Sequence, residues 1–338
     1  MTKNFDVVCI GGVVRDITFY TDKGKIIRTP ENLTAQRMIG FEYGAKINIF
    51  NTHYTLGGGA SNAAHVFSKL GVNASIIARL GSDHEGDEVV KRISEDRIDT
   101  GYIQRDQDAL TGFSLILCSS KKEHDHVVFS YRGANENLDV NEKVLKNVNP
   151  KWFYISSMSG PGWMKTMKNI VSFSEKKNSK IAWNPGGAQI QDGKKAMEAI
   201  LKRIDVLILN KDEAIELVLS GVKLGKRDPA FLNKTLFLLH ILSEWGPRIV
   251  VITDGKKGAS ALKDDKIYKA KAVRKKVVDT TGVGDAFSAT FIASLIEDPK
   301  NIQRALEWGA LNSAYNLTQV GAQEGVLTRE ELLEKFNK

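Results

Sequence analysis

Cysteine is nearly absent from this chain, and no apolar run approaches the length needed to span a bilayer. The two cysteines, Cys9 and Cys118, each lie inside an apolar strand-like stretch. They offer neither a disulfide framework nor a thiolate metal site, so a reducing compartment is expected. The N-terminus carries Asp6 early and lacks the charged-then-apolar pattern of a secretion signal, which points to a cytoplasmic protein with no membrane partner. Also missing are internal repeats, low-complexity tracts, zinc-finger spacings and any Gly-x-x-x-x-Gly-Lys-Ser/Thr element, which argues against a P-loop nucleotidase. Net charge is +8, but the basic clusters Lys256-Lys257 and Arg274-Lys275-Lys276 have no interleaved aromatics. Solvated lysine or an anion pocket explains them better than nucleic acid. With 338 residues, 42% hydrophobic and 26% charged, the chain can form one large α/β domain or two modest ones.

The most informative segment that is present runs from Asp279 to Phe287, Asp-Thr-Thr-Gly-Val-Gly-Asp-Ala-Phe. Gly282 and Gly284 flank Val283, so the backbone can turn tightly and aim successive N–H groups outward at the positive end of a helix dipole. Asp285 then falls on the first helical turn beside that anion site, where it could accept a proton from a hydroxyl attacking phosphorus. A Gly-rich loop that merely opens a helix has the same look. A second Gly-rich segment, Leu56-Gly57-Gly58-Gly59-Ala60-Ser61-Asn62-Ala63-Ala64, precedes Leu70-Gly71 and the apolar run from Ala74 to Leu80. The order reads as loop, helix, turn and strand, with Ser61 or Asn62 capping or lining the helix start.

Buried strands are expected at Phe5–Gly12, Ser75–Leu80, Trp152–Ser156, Lys180–Trp183, Val206–Leu209 and Arg248–Thr253. Helical patterns intervene at Glu85–Ser94, Met164–Lys176 and Pro229–Ser243, the last with Asp228 as its cap. Such alternation implies parallel βαβ units. Residues 17–54 and 113–131 instead carry β-branched and aromatic residues without a helical period, and Phe113–Ser119 with His126–Tyr131 reads as a hairpin. His124-Asp125-His126 is a polar turn rather than a metal site. The five tryptophans belong to core or interface.

Both glycine segments together, Gly57 to Ala64 followed by Ala78-Arg79-Leu80-Gly81-Ser82-Asp83 and Asp279 to Phe291, resemble the two signatures of the ribokinase-like, or PfkB, family of carbohydrate kinases. The resemblance covers nearly the whole chain. It departs at Val283 and Thr290, where small residues are usual in the family, and neither change removes a functional group. The resemblance implies one α/β kinase domain over 1–338, with a central, mostly parallel sheet flanked by helices and a small β-sheet lid from about 17–55 and 112–132. That lid would close over substrate or pair two subunits as a homodimer.

On the same resemblance, Asp16, Gly57, Gly58, Asn62 and Arg132 would bind the acceptor. A turn residue at Asp16, a helix cap at Asn62 and a solvated Arg132 are the plainer alternatives. Asn210 and Glu213 look like the family's Asn-x-x-Glu element, facing phosphates and hydrated Mg2+, although the pair also fits a capping box. Thr253, Gly255 and Gly258 resemble the turn that accommodates ATP. Asn312 lies near the expected adenine pocket, while the usual polar position aligns with Ala310. Asp279, Thr281, Asn316, Gly321 and Gly325 look similar to positions that hold a monovalent cation such as K+, largely through carbonyl oxygens. Asp285 would be the general base, with a low carboxylate pKa tolerated because the hydroxyl loses its proton late. The Gly282, Val283, Gly284 and Asp285 N–H groups would form the anion hole. The expected reaction is ATP-dependent phosphorylation of a small sugar. A nucleoside kinase of the same fold and a non-catalytic sugar-binding regulator are the alternatives. A Rossmann dehydrogenase is weaker, since Gly282-Val283-Gly284-Asp285-Ala286-Phe287 lacks the third small residue.

Overall fold

A computed structural model describes residues 2–28, 37–118, 126–223 and 229–337. Continuous apolar runs build an eight-stranded sheet. Its order is Lys266–Ala270, Ala259–Lys263, Ile249–Thr253, Val206–Asn210, Lys180–Trp183, Val148–Ile155, Lys3–Ile10 and Ala74–Ile77. The six strands from Ile249–Thr253 to Ala74–Ile77 are parallel, and the two remaining edge strands run antiparallel. Alternation sends Val7, Cys9 and Tyr154 into one buried cluster and Val8, Ile10 and Phe153 into the other. Helices Gly59–Lys69, Val283–Glu297 and Ile302–Asn316 cover the first face, and Trp163–Lys177, Gly187–Leu201, Lys211–Gly221 and Thr235–Glu244 the second. The Lys3–Ile10 strand pairs with Ala74–Ile77 on one side and Val148–Ile155 on the other, so the chain changes direction around it. That switch point opens a crevice at the strands' C-terminal ends, where doubly wound sheets bind ligands. No described helix is long and apolar enough to cross a membrane.

Val14–Tyr20, Asn51–Gly57, Phe113–Cys118 and His126–Tyr131 form a separate four-stranded sheet, and the expected hairpin strands are one of its two antiparallel pairs. Lys25–Arg28 and Arg37–Gly40 add a two-stranded ribbon. His124 and Asp125 lie outside the described residues, as does the expected cap Asp228. Trp152, Trp163, Trp183 and Trp308 are buried.

Two elements differ from the sequence reading. Ser75–Leu80 is not one strand: it breaks at Ala78, and Arg79–Gly81 pairs instead with Gln104–Asp106. The Arg79 Nε–H bond to Asp106, 2.8 Å, holds that second half aside. Pro229–Ser243 is not one helix either. A 3-10 turn at Pro229–Asn233 ends at Lys234, whose extended backbone (φ −87°, ψ 105°) precedes the Thr235–Glu244 helix.

Candidate active site

At the crevice, the Val283–Glu297 helix begins after Gly282, which holds φ 72°. An added Cβ there would lie 2.5 Å from the Ala322 Cβ, so both backbone angle and space require glycine. At Gly284 a Cβ would meet nothing within 4 Å, leaving the loop open outward. The N–H groups of Val283, Gly284 and Asp285 have no acceptor within the helix, because the first turn never does. Asp285 is half-buried on this first turn. Burial raises its carboxyl pKa, and an Asn62 Nδ2–H bond to Asp285 Oδ2, 2.8 Å, pulls the other way. The direction is therefore upward, not the low pKa expected from a helix start: burial outweighs the Asn62 bond, and the carboxylate is a stronger base.

The Gly57 segment meets this helix directly. A Cβ at Gly59 would stand 3.3 Å from Asp285 Oδ1, and one at Gly57 would collide with the Asp16 carboxylate. Asp16 belongs to the Val14–Tyr20 strand of the small sheet and is 5% exposed. Burial, reinforced by the charges of Asp279 and Asp285, pushes its pKa up to about 6, against a Ser114 hydrogen bond and the Arg132 charge. Arg132 itself is exposed at the start of the Gly133–Asn137 turn. Asn62 does not cap its helix, whose N-cap Gly58 has no side-chain bond. Its Nδ2 donates one hydrogen to Asp285 and its Oδ1 accepts from Gln323 Nε2 at 3.1 Å, which leaves a second N–H. Asp16, Gly57, Gly58, Asn62, Arg132 and Asp285 thus converge on one side of the crevice.

A groove of about 620 Å3 continues from the helix start, with Asn210, Thr253, Gly255, Gly258, Val283 and Gly284 in its wall. Its far end is apolar, formed by Val273, Val277, Phe287, Ala310, Ala314 and Leu317. Asn210 and Glu213 form a reciprocal capping box: Asn210 Oδ1 accepts from the Glu213 N–H at 2.9 Å, and Glu213 Oε2 from the Asn210 N–H at 2.8 Å. Burial raises the Glu213 pKa, with Asp285, Asp212 and Glu216 adding repulsion. Hard oxygen donors among mutually repelling acids fit a hydrated magnesium ion, which would relieve that repulsion. Among the described residues no group of three or more His, Cys, Asp or Glu could hold a metal ion by itself.

Asn312 does not line the groove. It is fully buried, donates to Thr290 Oγ1 at 2.8 Å and accepts from the Leu327 N–H at 2.9 Å. Ala310, Ser313, Ala314 and Leu317 make the i, i+3, i+4, i+7 stripe facing the groove, and position 312 falls on the opposite side of that helix. The same bond gives Thr290 its role as Asn312's partner. Asp279 accepts from the Thr281 N–H and hydroxyl and from the Gly321 N–H, at 2.8–2.9 Å. Asn316 Nδ2 donates to the Thr281 carbonyl at 3.0 Å, yet its buried Oδ1 has no partner. That orphaned oxygen fits a nearby monovalent cation.

Sequence reasoning missed three contributors. Lys211 lines the groove and pairs with Asp254 at 3.3 Å; the two follow directly on Asn210 and Thr253, so proximity to those residues could have flagged them. Ser156 is buried between Gly11 and Gly59. Gln323 touches Asn62 across 261 positions, and no local signal marks it.

The model for the pfkB family carbohydrate kinases matches residues 4–329. The ribokinase of Haemophilus influenzae is 27% identical over 288 residues, 84% of this chain and 88% of that relative. The crystal structure of the Methanocaldococcus jannaschii nucleoside kinase, an archaeal member of the ribokinase family, superposes with a TM-score of 0.77 at 20% identity, covering 100% of this chain and 99% of that one. Arabidopsis thaliana ribokinase complexed with ribose and ATP gives 0.76 at 19% identity, over 99% and 98%. The fold is therefore ribokinase-like.

Proposed function

This chain belongs to the pfkB family of carbohydrate kinases, and we propose that it transfers the terminal phosphoryl group of ATP to a hydroxyl of a small sugar bound between Asp16 and Asp285. The observation that carries this reading is the Asp285 carboxylate on the first turn of a helix whose unpaired N–H groups open on the same crevice. Asp16 accepts hydrogen bonds from neighbouring sugar hydroxyls, Gly57 leaves room for the Asp16 carboxylate and Gly58 for the Gly12 backbone, and Asn62 and Arg132 complete the acceptor side. Asp285 takes the proton of the attacking hydroxyl. The N–H groups of Gly282, Val283, Gly284 and Asp285 stabilise charge on the transferred group. Asn210 and Glu213 face the phosphates, Thr253, Gly255 and Gly258 border the nucleotide, and the apolar end of the groove receives its base. Asn210 and Glu213 would hold magnesium through water, and the ion would supply charge neutralisation at the phosphates. Asp279 and Thr281, with Asn316, would hold a monovalent cation that stiffens the anion loop.

We read 1–338 as one kinase domain in which residues 17–55 and 112–132 form the lid. Strand alternation puts Asp16, Thr18, His53, Thr55 and Ser114, with Tyr20 and Ile116, on one face of the small sheet, and its hydroxyls and carboxylate favour a sugar. The opposite face carries Ile17, Phe19, Leu115, Phe129 and Tyr131, which supports pairing of two copies. A nucleoside acceptor is the second reading, favoured by Tyr20 lying 6.2 Å from Phe50 and 5.8 Å from His53, a cluster on which a base could stack.

The test is ADP release with ATP and magnesium against ribose, fructose, 2-keto-3-deoxygluconate, adenosine, inosine and cytidine. Turnover of a sugar is the expected result. Turnover of nucleosides alone selects the second reading, and none at all favours an idle binder.

A further inference from the structure

Resting on that reading of Asp285, we propose that Gln323 is a positioning residue for the base, fixing the rotation of the Asn62 amide so that its NH2 end meets the Asp285 carboxylate. A primary amide has a donor end and an acceptor end, and either can face a neighbour unless something selects between them. The Ser61 hydroxyl donates to the Gly57 carbonyl at 2.6 Å, so its oxygen is left to accept. Gln323 Nε2 stands 3.5 Å from that oxygen, an acceptor whatever the Asn62 amide does, and 3.1 Å from Asn62 Oδ1. The NH2 of Gln323 therefore belongs there, Asn62 Oδ1 is drawn toward it, and Asn62 Nδ2 turns to Asp285 Oδ2 at 2.8 Å. With Gln323 removed, the Asp285 carboxylate alone would select the Asn62 donor end, and looser rotation of that amide would let the base move out of line. Gln323 is 8% exposed, so water does not readily replace it.

The segment around Gln323 braces the other parts of the anion site as well. The Gly321 N–H donates to Asp279 Oδ2 at 2.9 Å, and Ala322 packs where a Gly282 side chain would stand. Three successive residues of one loop thus touch the loop that precedes the helix, its N-cap glycine and the amide that orients the base.

The test is steady-state kinetics of Gln323→Met and Gln323→Glu in the full chain, each also made in an Asn62→Ala background. Gln323→Met should lower kcat by about tenfold while acceptor KM stays within about threefold, because orientation rather than binding is lost. Gln323→Glu, equal in size to the native residue, should cost more than Gln323→Met, since its carboxylate draws the Asn62 NH2 away from Asp285. In the Asn62→Ala background Gln323→Met should cost nothing further. A merely structural role predicts that the isosteric Glu is the milder change and that Met costs the same factor in both backgrounds; either result overturns the proposal. Melting temperatures identify a variant that fails to fold, and the comparison of Gln323→Glu with native protein then decides alone. The Asn62 side-chain NH2 resonance gives a readout without turnover. It should respond to Asp285→Asn in native protein and lose that response in Gln323→Glu, and an unchanged response counts against the proposal. Absence of turnover in native protein would sink the reading of Asp285 while this resonance still tests Gln323.

Discussion

In the central sheet the Lys3–Ile10 strand sends Val7 and Cys9 to one buried cluster and Val8 and Ile10 to the other, whereas in the small sheet Val14–Tyr20 buries Asp16 and Thr18 and leaves Ile17 and Phe19 partly exposed. One sheet hides carbon on both faces, and the other buries Asp16, Thr18, Thr55 and Ser114 on one face while Tyr54, Phe129 and Tyr131 stay exposed on the other. Burying a carboxylate costs free energy, so the small sheet is not arranged for its own stability. On the proposed reading the difference separates two tasks: the platform would supply rigidity and the anion site, and the small sheet would retain a costly buried carboxylate for the acceptor.

The comparison breaks first at the platform. Trp183 is fully buried there, and Trp183→Ala should lower unfolding free energy by about 3–5 kcal/mol in denaturant titration. A loss below 1 kcal/mol on that scale would show that the platform is not the rigid half.

Asp16 sharpens it in the opposite direction. Its carboxyl is pushed from 3.8 to about 6, so between those values the folded protein holds a proton that the unfolded chain releases. Stability therefore falls as pH rises through that window, and Asp16→Asn should stabilise the neutral-pH protein by up to about 3 kcal/mol. The same variant should lose at least about tenfold in acceptor affinity by calorimetry, the scale of a charged hydrogen bond. In native protein, acceptor affinity should weaken as pH drops below about 6. Gain of affinity on neutralising Asp16 would remove it from the acceptor site.

The smallest effect on stability is expected at the exposed apolar face. Phe129, 55% exposed on the edge strand, should tolerate Phe129→Ser within about 0.5 kcal/mol in the monomer. Sedimentation should nonetheless shift from two copies to one. An unchanged sedimentation profile would mean that this face does not pair.

Much of this was readable from local pattern. Lys180–Trp183 and Val206–Leu209 are largely apolar runs between turn signals, and the two glycine segments carry Asp16's neighbour Gly57 and the proposed base Asp285 in plain view. The stripe Ala310, Ser313, Ala314 and Leu317 was readable too, and it would have excluded Asn312 from the groove. What local pattern does not contain is set by distant partners. The bend at Ala78 depends on Asp106, the raised pKa of Asp285 on the burial of its surroundings, and the Asn62 orientation on Gln323, 261 positions away.

The most direct test of the account is the single-turnover rate of phosphoryl transfer in Asp285→Asn, with ATP, magnesium and the best acceptor from the panel. The prediction is a folded variant that binds acceptor with near-native affinity and transfers at least about a hundredfold more slowly. Transfer at the native rate would contradict the assignment of Asp285 as the base at the start of this helix.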